Sequence, residues 1–246
     1  MKLILSPTKT MASPGGDHQV TTPAFAPQAD YLIQQLHAME VSDLATLLKT
    51  SDALTQKTRE QIEAFGDAPS HPAILTFRGE AFKSLGASDF SPEDLAFAQA
   101  HLIILSGLYG VLAPMDGIRP HRLDFNTPLA VEDGRLKAFW KKRLVPWFQE
   151  RVDPREVILD LASREYASIL DGSPLASQII HFQFRERRGD RLKNISVRAK
   201  QARGAFARYI IQQGLDSPAP LKSVIVDGYA YHADLSCPGE WFFIRD

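Results

Sequence analysis

The chain has 246 residues, 44% hydrophobic and 23% charged, with a formal net charge of −1. That balance excludes a wholly disordered chain, and 15 glycines and 16 prolines without a period exclude a collagen-like one. At about 100–200 residues per domain the length allows one large domain or two small ones, and the single cysteine, Cys237, excludes an intrachain disulfide, a multi-thiolate zinc site and a cysteine-ligated iron–sulfur cluster.

The chain opens on a short apolar run, residues 2–5, which predicts a buried strand; Ser6-Pro7 ends it. Three apolar residues before a proline are too few for a signal-peptide core, and no run approaches 18 apolar residues. A cytoplasmic protein that does not enter a membrane is therefore expected. Residues 11–29 are rich in Pro, Gly, Thr and Ala and predict a long surface loop. Leu32, Ile33 and Leu36 share one helical face, predicting a helix over 30–39. Residues 41–65 predict two short helices interrupted at Ser51-Asp52, so a small helical lobe is expected over about 30–66. Residues 73–77 predict a strand. Ser91-Pro92-Glu93-Asp94 is a helix start, with proline and acids in the first turn. Residues 101–105 predict a buried strand, and 137–149 a basic helix bent or ended near Pro146.

Residues 157–161 predict another apolar strand. Residues 178–185 and 192–197 predict a hairpin turning at Gly189-Asp190. Residues 199–213 predict a helix ended by Gly214, and 224–226 and 241–244 late strands. The mixture is α/β, shading into α+β. The expectation is one domain over 1–246 with a mixed sheet, the helical lobe and a basic cleft.

Charge is uneven along the chain. Residues 119–208 hold 19 Lys+Arg against 11 Asp+Glu, a local net of +8, and the remainder nets −9. This is either the ordinary coating of exposed helices or a basic surface for a polyanion. Five segments combine small residues with polar ones. Ser6-Pro7-Thr8-Lys9-Thr10 leaves a strand end with hydroxyls and a lysine, a turn that can hold an anion or merely face water. Ser106-Gly107-Leu108-Tyr109-Gly110 follows a strand; without a G-x-S-x-G elbow it does not read as a hydrolase nucleophile. Arg119-Pro120-His121-Arg122-Leu123-Asp124 carries two arginines suited to phosphate or carboxylate, unless Asp124 pairs with Arg122. Ala162-Ser163-Arg164-Glu165-Tyr166 follows a strand end, where α/β folds place ligands. Lys200 and Arg203 stand i, i+3 on one helix face. The seven histidines form neither H-x-H nor H-E-x-x-H, so no metal ligand is named, and no cofactor. Cys237 lacks a second thiol to resolve an oxidised state.

Through these motifs the sequence resembles the YaaA-type bacterial peroxide-stress family. The resemblance is carried by Leu5 to Thr10, Leu105 to Leu112 continuing through Pro114 and Asp116, Arg122-Leu123, Leu161 to Ser163 with Glu165-Tyr166, and Ala199 to Gly204. It implies a cytosolic protein linked to survival of hydrogen peroxide by limiting iron-driven damage. It also implies an α/β fold, a basic cleft and a helix–hairpin–helix element that binds DNA through its phosphate backbone with little sequence preference. That element maps to residues 41–65, with Lys49, Thr50, Ser51, Lys57 and Arg59 as backbone contacts, although Ser51-Asp52 replaces the usual Gly-x-Gly. No catalytic residue follows from the resemblance. The expected ligand or DNA contacts are Ser6, Lys9, Lys49, Ser51, Lys57, Ser106, Tyr109, Arg119, Arg122, Ser163, Tyr166, Lys200 and Arg203. The rival expectation is an enzyme acting on a phosphorylated or nucleotide-like small molecule, with most of these residues gathered in one pocket.

Overall fold

In the computed structural model, which describes residues 1–132 and 134–246, the apolar run near the chain start becomes the middle of a mixed sheet. Among the described residues the sheet has nine strands: β1 (Lys2–Leu5), β2 (Leu102–Ser106), β3 (Gly110–Leu112), β4 (Ile158–Leu161), β5 (Ile179–Arg188), β6 (Arg191–Lys193), β7 (Ile225–Val226), β8 (Tyr229–Tyr231) and β9 (Glu240–Arg245). Their spatial order is β7-β8-β9-β5-β4-β1-β2-β3, with β6 folded back on β5. The five strands β9, β5, β4, β1 and β2 run parallel, and antiparallel pairs close both edges. Leu3, Ile4 and Leu5 are fully buried, as a parallel strand covered on both faces requires. Leu5 stands opposite Ile104 on one side and Leu161 on the other.

The helices are α1 (Ala26–His37), α2 (Val41–Leu48), α3 (Asp52–Glu63), α4 (Ala73–Thr76), α5 (Glu80–Leu85), α6 (Pro92–His101), α7 (Leu136–Arg151), α8 (Arg164–Ala167) and α9 (Ser196–Gln212). The lobe is α1 to α3. Its two later helices meet at Lys49, whose φ of 52° ends α2 in the left-handed region. Arg59 is not a surface cation. Its guanidinium is buried and donates to the carbonyls of His37 and Met39, which ties α3 to the end of α1.

Three local expectations need correction. Residues 73–77 form the short helix α4 rather than a strand. Pro72 carries the last paired residue of a two-residue ladder with Gly117–Ile118, and the Ala73 and Ile74 amides bond the carbonyls of Asp116 and Pro114 instead of a neighbouring strand. A five-residue apolar run does not by itself separate buried strand from buried helix. Helix α7 continues through Pro146 to Arg151. The carbonyl that the proline leaves without a donor belongs to Lys142, an exposed residue where water can serve it. The second strand of the hairpin ends at Lys193, and α9 takes Ser196 onward.

Helix α9 crosses α5 so closely that a Cβ on Gly204 would lie 1.9 Å from the Ala81 carbonyl oxygen. Below it, Phe206 meets Phe243 of β9 and Phe184 of β5 with ring centroids 4.6 and 5.1 Å apart. Each such ring contributes about 1.5–3 kcal/mol on burial. This packing sets the height and rotation of the α9 face that carries Lys200 and Arg203.

Candidate functional site: a cationic cleft at the strand ends

The chain leaves β1 for β2 on one side of the sheet and β4 for β5 on the other. The winding direction therefore reverses between β1 and β4, the place where open α/β sheets leave a crevice beyond their carboxyl ends. Ser6 follows β1 directly and Ser163 stands two residues past β4. The Ser163 amide donates to Ser6 Oγ at 2.7 Å, and Ser6 Oγ donates to Ser163 Oγ at 3.2 Å. These bonds staple the two loops and form the floor of a cleft of about 690 Å³.

One wall is cationic. Lys200 and Arg203 come from α9, and Arg78 precedes α5. Arg203 donates to the Ala162 carbonyl and lies 5.7 Å from the Phe184 ring; burial lowers its pKa, partly offset by the Asp160 charge. Lys83 also lines the cleft but is spent on Glu80 at 2.9 Å. Glu80 in turn accepts from Gln201 Nε2 at 2.8 Å, locking α5 to α9. Hydrogen bonds from Lys83 and then Gln201 hold the Glu80 carboxyl below its ordinary value. Arg78, Lys200 and Arg203 have no carboxylate partner within 4.0 Å among the described residues.

The other wall is mixed. Lys9 Nζ lies 2.6 Å from Asp124 Oδ2, and Tyr166 donates its hydroxyl to Asp124 Oδ1 at 2.9 Å. Asp124 thus pairs with Lys9, not with Arg122. Burial, then the Asp124 charge, pushes the Tyr166 phenol well above its ordinary pKa, so it stays a donor. Glu165 is half-buried beside them. Burial and then Asp124 raise its pKa, opposed by the neighbouring Asn126 amide and the Lys9 and Lys137 charges. Behind the floor, Asp160 is buried, accepting from the Ala162 amide at 2.8 Å and from His181 Nδ1 at 2.7 Å. That contact is the main cause of a raised His181 pKa.

Of the residues singled out in the sequence, Ser6, Lys9, Ser163, Tyr166, Lys200 and Arg203 therefore meet in one place. The rest stand elsewhere. Ser106 is fully buried, and its Oγ accepts from the Tyr109 amide at 3.1 Å, closing the turn after β2. Tyr109 is buried too, its hydroxyl accepting from the Arg119 amide at 3.2 Å; burial raises its pKa to about 12. Arg119 donates to the Ala68 carbonyl at 2.7 Å and sits 5.5 Å from the Phe65 ring. Arg122 lines a narrow crevice against Leu36, Thr58 and Ile62 of the lobe. Strand ends and arginines suggest a ligand for the Ser106 and Arg119 segments as well; here they spend their polar groups on turns and packing. Lys49, Ser51 and Lys57 are exposed on the lobe and do not line the cleft.

Two contributors escaped the sequence reading. Glu165 stood inside a motif already marked. Arg78 had one weak signal, the glycine beside it: a Cβ on Gly79 would lie 2.4 Å from Thr8 Oγ1, so glycine lets this segment close on the Ser6–Thr10 loop.

Among the described residues no helix is long and apolar enough to cross a membrane. In comparisons with known proteins, the family described as peroxide stress protein YaaA matches residues 1–235. A UPF0246 protein of Desulforapulum autotrophicum is 39% identical over 254 aligned positions, covering 99% of both chains. A UPF0246 protein of Desulfotalea psychrophila is 34% identical over 248, covering 99% of this chain and 97% of its own.

Proposed function

The chain belongs to the peroxide stress protein YaaA family, and from that membership we propose that it serves the peroxide response by binding a phosphate-bearing small molecule in the cleft at the strand ends. The supporting observation is the convergence of Arg78, Lys200 and Arg203, without carboxylate partners among the described residues, on the Ser6–Ser163 floor. Guanidinium and ammonium groups on α9 and in the segment leading into α5, beside hydroxyls, match the oxygens of a phosphate. A space of about 690 Å³ falls within the roughly 300–1,000 Å³ of small-molecule sites, whereas a duplex needs an extended track. In this reading the protein is an enzyme or a carrier for a phosphorylated compound.

DNA binding is the second reading, supported by a different surface. Arg191 and Lys193 of β6 are exposed and have no carboxylate partner among the described residues, and Lys49 and Lys57 are exposed on the lobe. Cations so placed would hold DNA through its phosphates, with affinity falling by a log–log slope of about −0.9 per contact as salt rises, and would keep iron-driven damage from it.

Titration calorimetry with ethyl phosphate, alongside fluorescence anisotropy on unrelated duplexes, separates the two. Arg203→Ala should weaken ethyl phosphate at least tenfold and leave duplex affinity within about twofold. Duplex affinity that falls in Arg191→Ala and Lys193→Ala but not in Arg203→Ala, with no ethyl phosphate binding by the wild type, would replace the first reading with the second.

A further inference from the structure

The phosphate cleft faces its ligand with two sets of groups that do not satisfy each other. Arg78, Lys200 and Arg203 offer positive charge from α9 and the start of α5. Glu165 offers a carboxylate from α8, and no cation pairs with it within 4.0 Å among the described residues. Were the two walls within reach of one another, Glu165 and Lys200 or Arg203 would close on each other as an ion pair. No such pair lies within 4.0 Å among the described residues.

A phosphate placed among the three cations satisfies only its own wall. Across the cleft it leaves Glu165, Lys9 and the Asp124 carboxylate that Lys9 and Tyr166 share. An apolar group there would desolvate the Glu165 carboxylate with no compensating hydrogen bond, a cost of roughly 1–3 kcal/mol on protein mutational scales. A second anion would be repelled by Glu165, and with Lys9 paired to Asp124 at 2.6 Å this wall is net negative and calls for a group that donates a hydrogen. A hydroxyl both donates and accepts, so it can give its hydrogen to Glu165 and take one from Lys9. The cleft, at about 690 Å³, also has room beyond a lone phosphate.

Resting on the phosphate reading of the cleft, we infer that the ligand is a phosphomonoester that also carries hydroxyl groups, of the sugar-phosphate or nucleotide class. The cations of α9 and Arg78 hold its phosphate, and Glu165 accepts from its hydroxyls. Glu165 is the specificity residue, separating hydroxylated phosphomonoesters from plain ones.

The test compares two monoesters with the same phosphate group, ribose 5-phosphate and ethyl phosphate, by titration calorimetry on the full chain. Ribose 5-phosphate should bind about tenfold tighter, equal to about 1.4 kcal/mol and to one hydrogen bond to a charged acceptor. In Glu165→Ala the ratio of the two affinities should fall to about one. Equal affinities in the wild type, or a preference for ethyl phosphate, overturn the inference and leave the phosphate cleft standing. A ratio that stays near ten in Glu165→Ala overturns the role given to Glu165. If neither monoester binds, the cleft reading falls and the inference with it.

Discussion

Removing the Asp124 carboxylate separates a strong contact from a weak one. It holds Lys9 at 2.6 Å and the Tyr166 hydroxyl at 2.9 Å. The lysine side chain is 53% exposed and the aspartate 24%, so water screens the ion pair and about 0–1 kcal/mol is expected from it. The Tyr166 hydroxyl is buried. Its bond to a charged acceptor contributes about 1.5–3 kcal/mol, and losing the acceptor orphans the donor. Asp124→Ala should therefore cost about 2–3 kcal/mol, Tyr166→Phe about 1–2, and Lys9→Ala under about 1. For a chain of this length each kcal/mol lowers Tm by roughly 2–4 °C. Asp124→Ala should melt some 5–10 °C below the wild type in a calorimetric scan, and Lys9→Ala within about 3 °C of it. The same substitution frees Lys9 and removes a negative charge, so ethyl phosphate should bind severalfold tighter to the less stable protein. The reasoning is refuted if Lys9→Ala destabilises as much as Asp124→Ala, or if Asp124→Ala binds the anion more weakly.

Two further outcomes follow from buried groups. His121 is buried with its Nδ1 2.8 Å from the Arg119 carbonyl oxygen, and burial lowers its pKa to about 4. The unfolded chain takes up that proton first, near pH 6.5, so the contribution is complete above about 6.5 and is lost as pH falls toward 4. Between pH 7 and pH 5 urea denaturation should show a loss of about 2 kcal/mol from this residue, and His121→Gln should remove that part of the slope; an unchanged slope would place the titration elsewhere. Gly204→Ala should destabilise by about 1–3 kcal/mol although alanine favours helix by about 1, because its Cβ would meet the Ala81 carbonyl oxygen at 1.9 Å; a raised urea midpoint would show that α9 and α5 can move apart freely.

Periodicity and punctuation carried the element list a long way. Residues 2–5, 101–105 and 157–161 are short runs dominated by Leu and Ile, and each supplies a parallel strand of the sheet. Residues 179–188 and 191–193 pair around Gly189, whose φ of 59° suits the turn. Local chemistry alone produces these features: apolar side chains that must leave water, and a glycine where the backbone turns left-handed. Residues 73–77 read as a strand because a run of five carries no period; the contacts that make them helical come from Pro114 and Asp116, some forty residues away.

The candidate site divides along the same line. Ser6, Ser163, Lys200 and Arg203 were legible because each lies at a strand end or on a helix face beside small residues, and a fold that puts β1 against β4 must bring the first two together. Ser106 and Tyr109 shared that signature and were spent on a turn. Whether a hydroxyl at a strand end faces a ligand or its own backbone depends on the loop that lands above it. Here Leu123 and Asp124 cover Gly107 so tightly that a Cβ would lie 2.2 Å from the Leu123 carbonyl oxygen, which seals that strand end. The sequence carries which residues are charged. Which charges remain available is set by through-space distances that no spacing encodes: Lys9 is neutralised by Asp124 across more than a hundred residues, and Lys83 by Glu80 within one turn, while Arg78, Lys200 and Arg203 face the cleft.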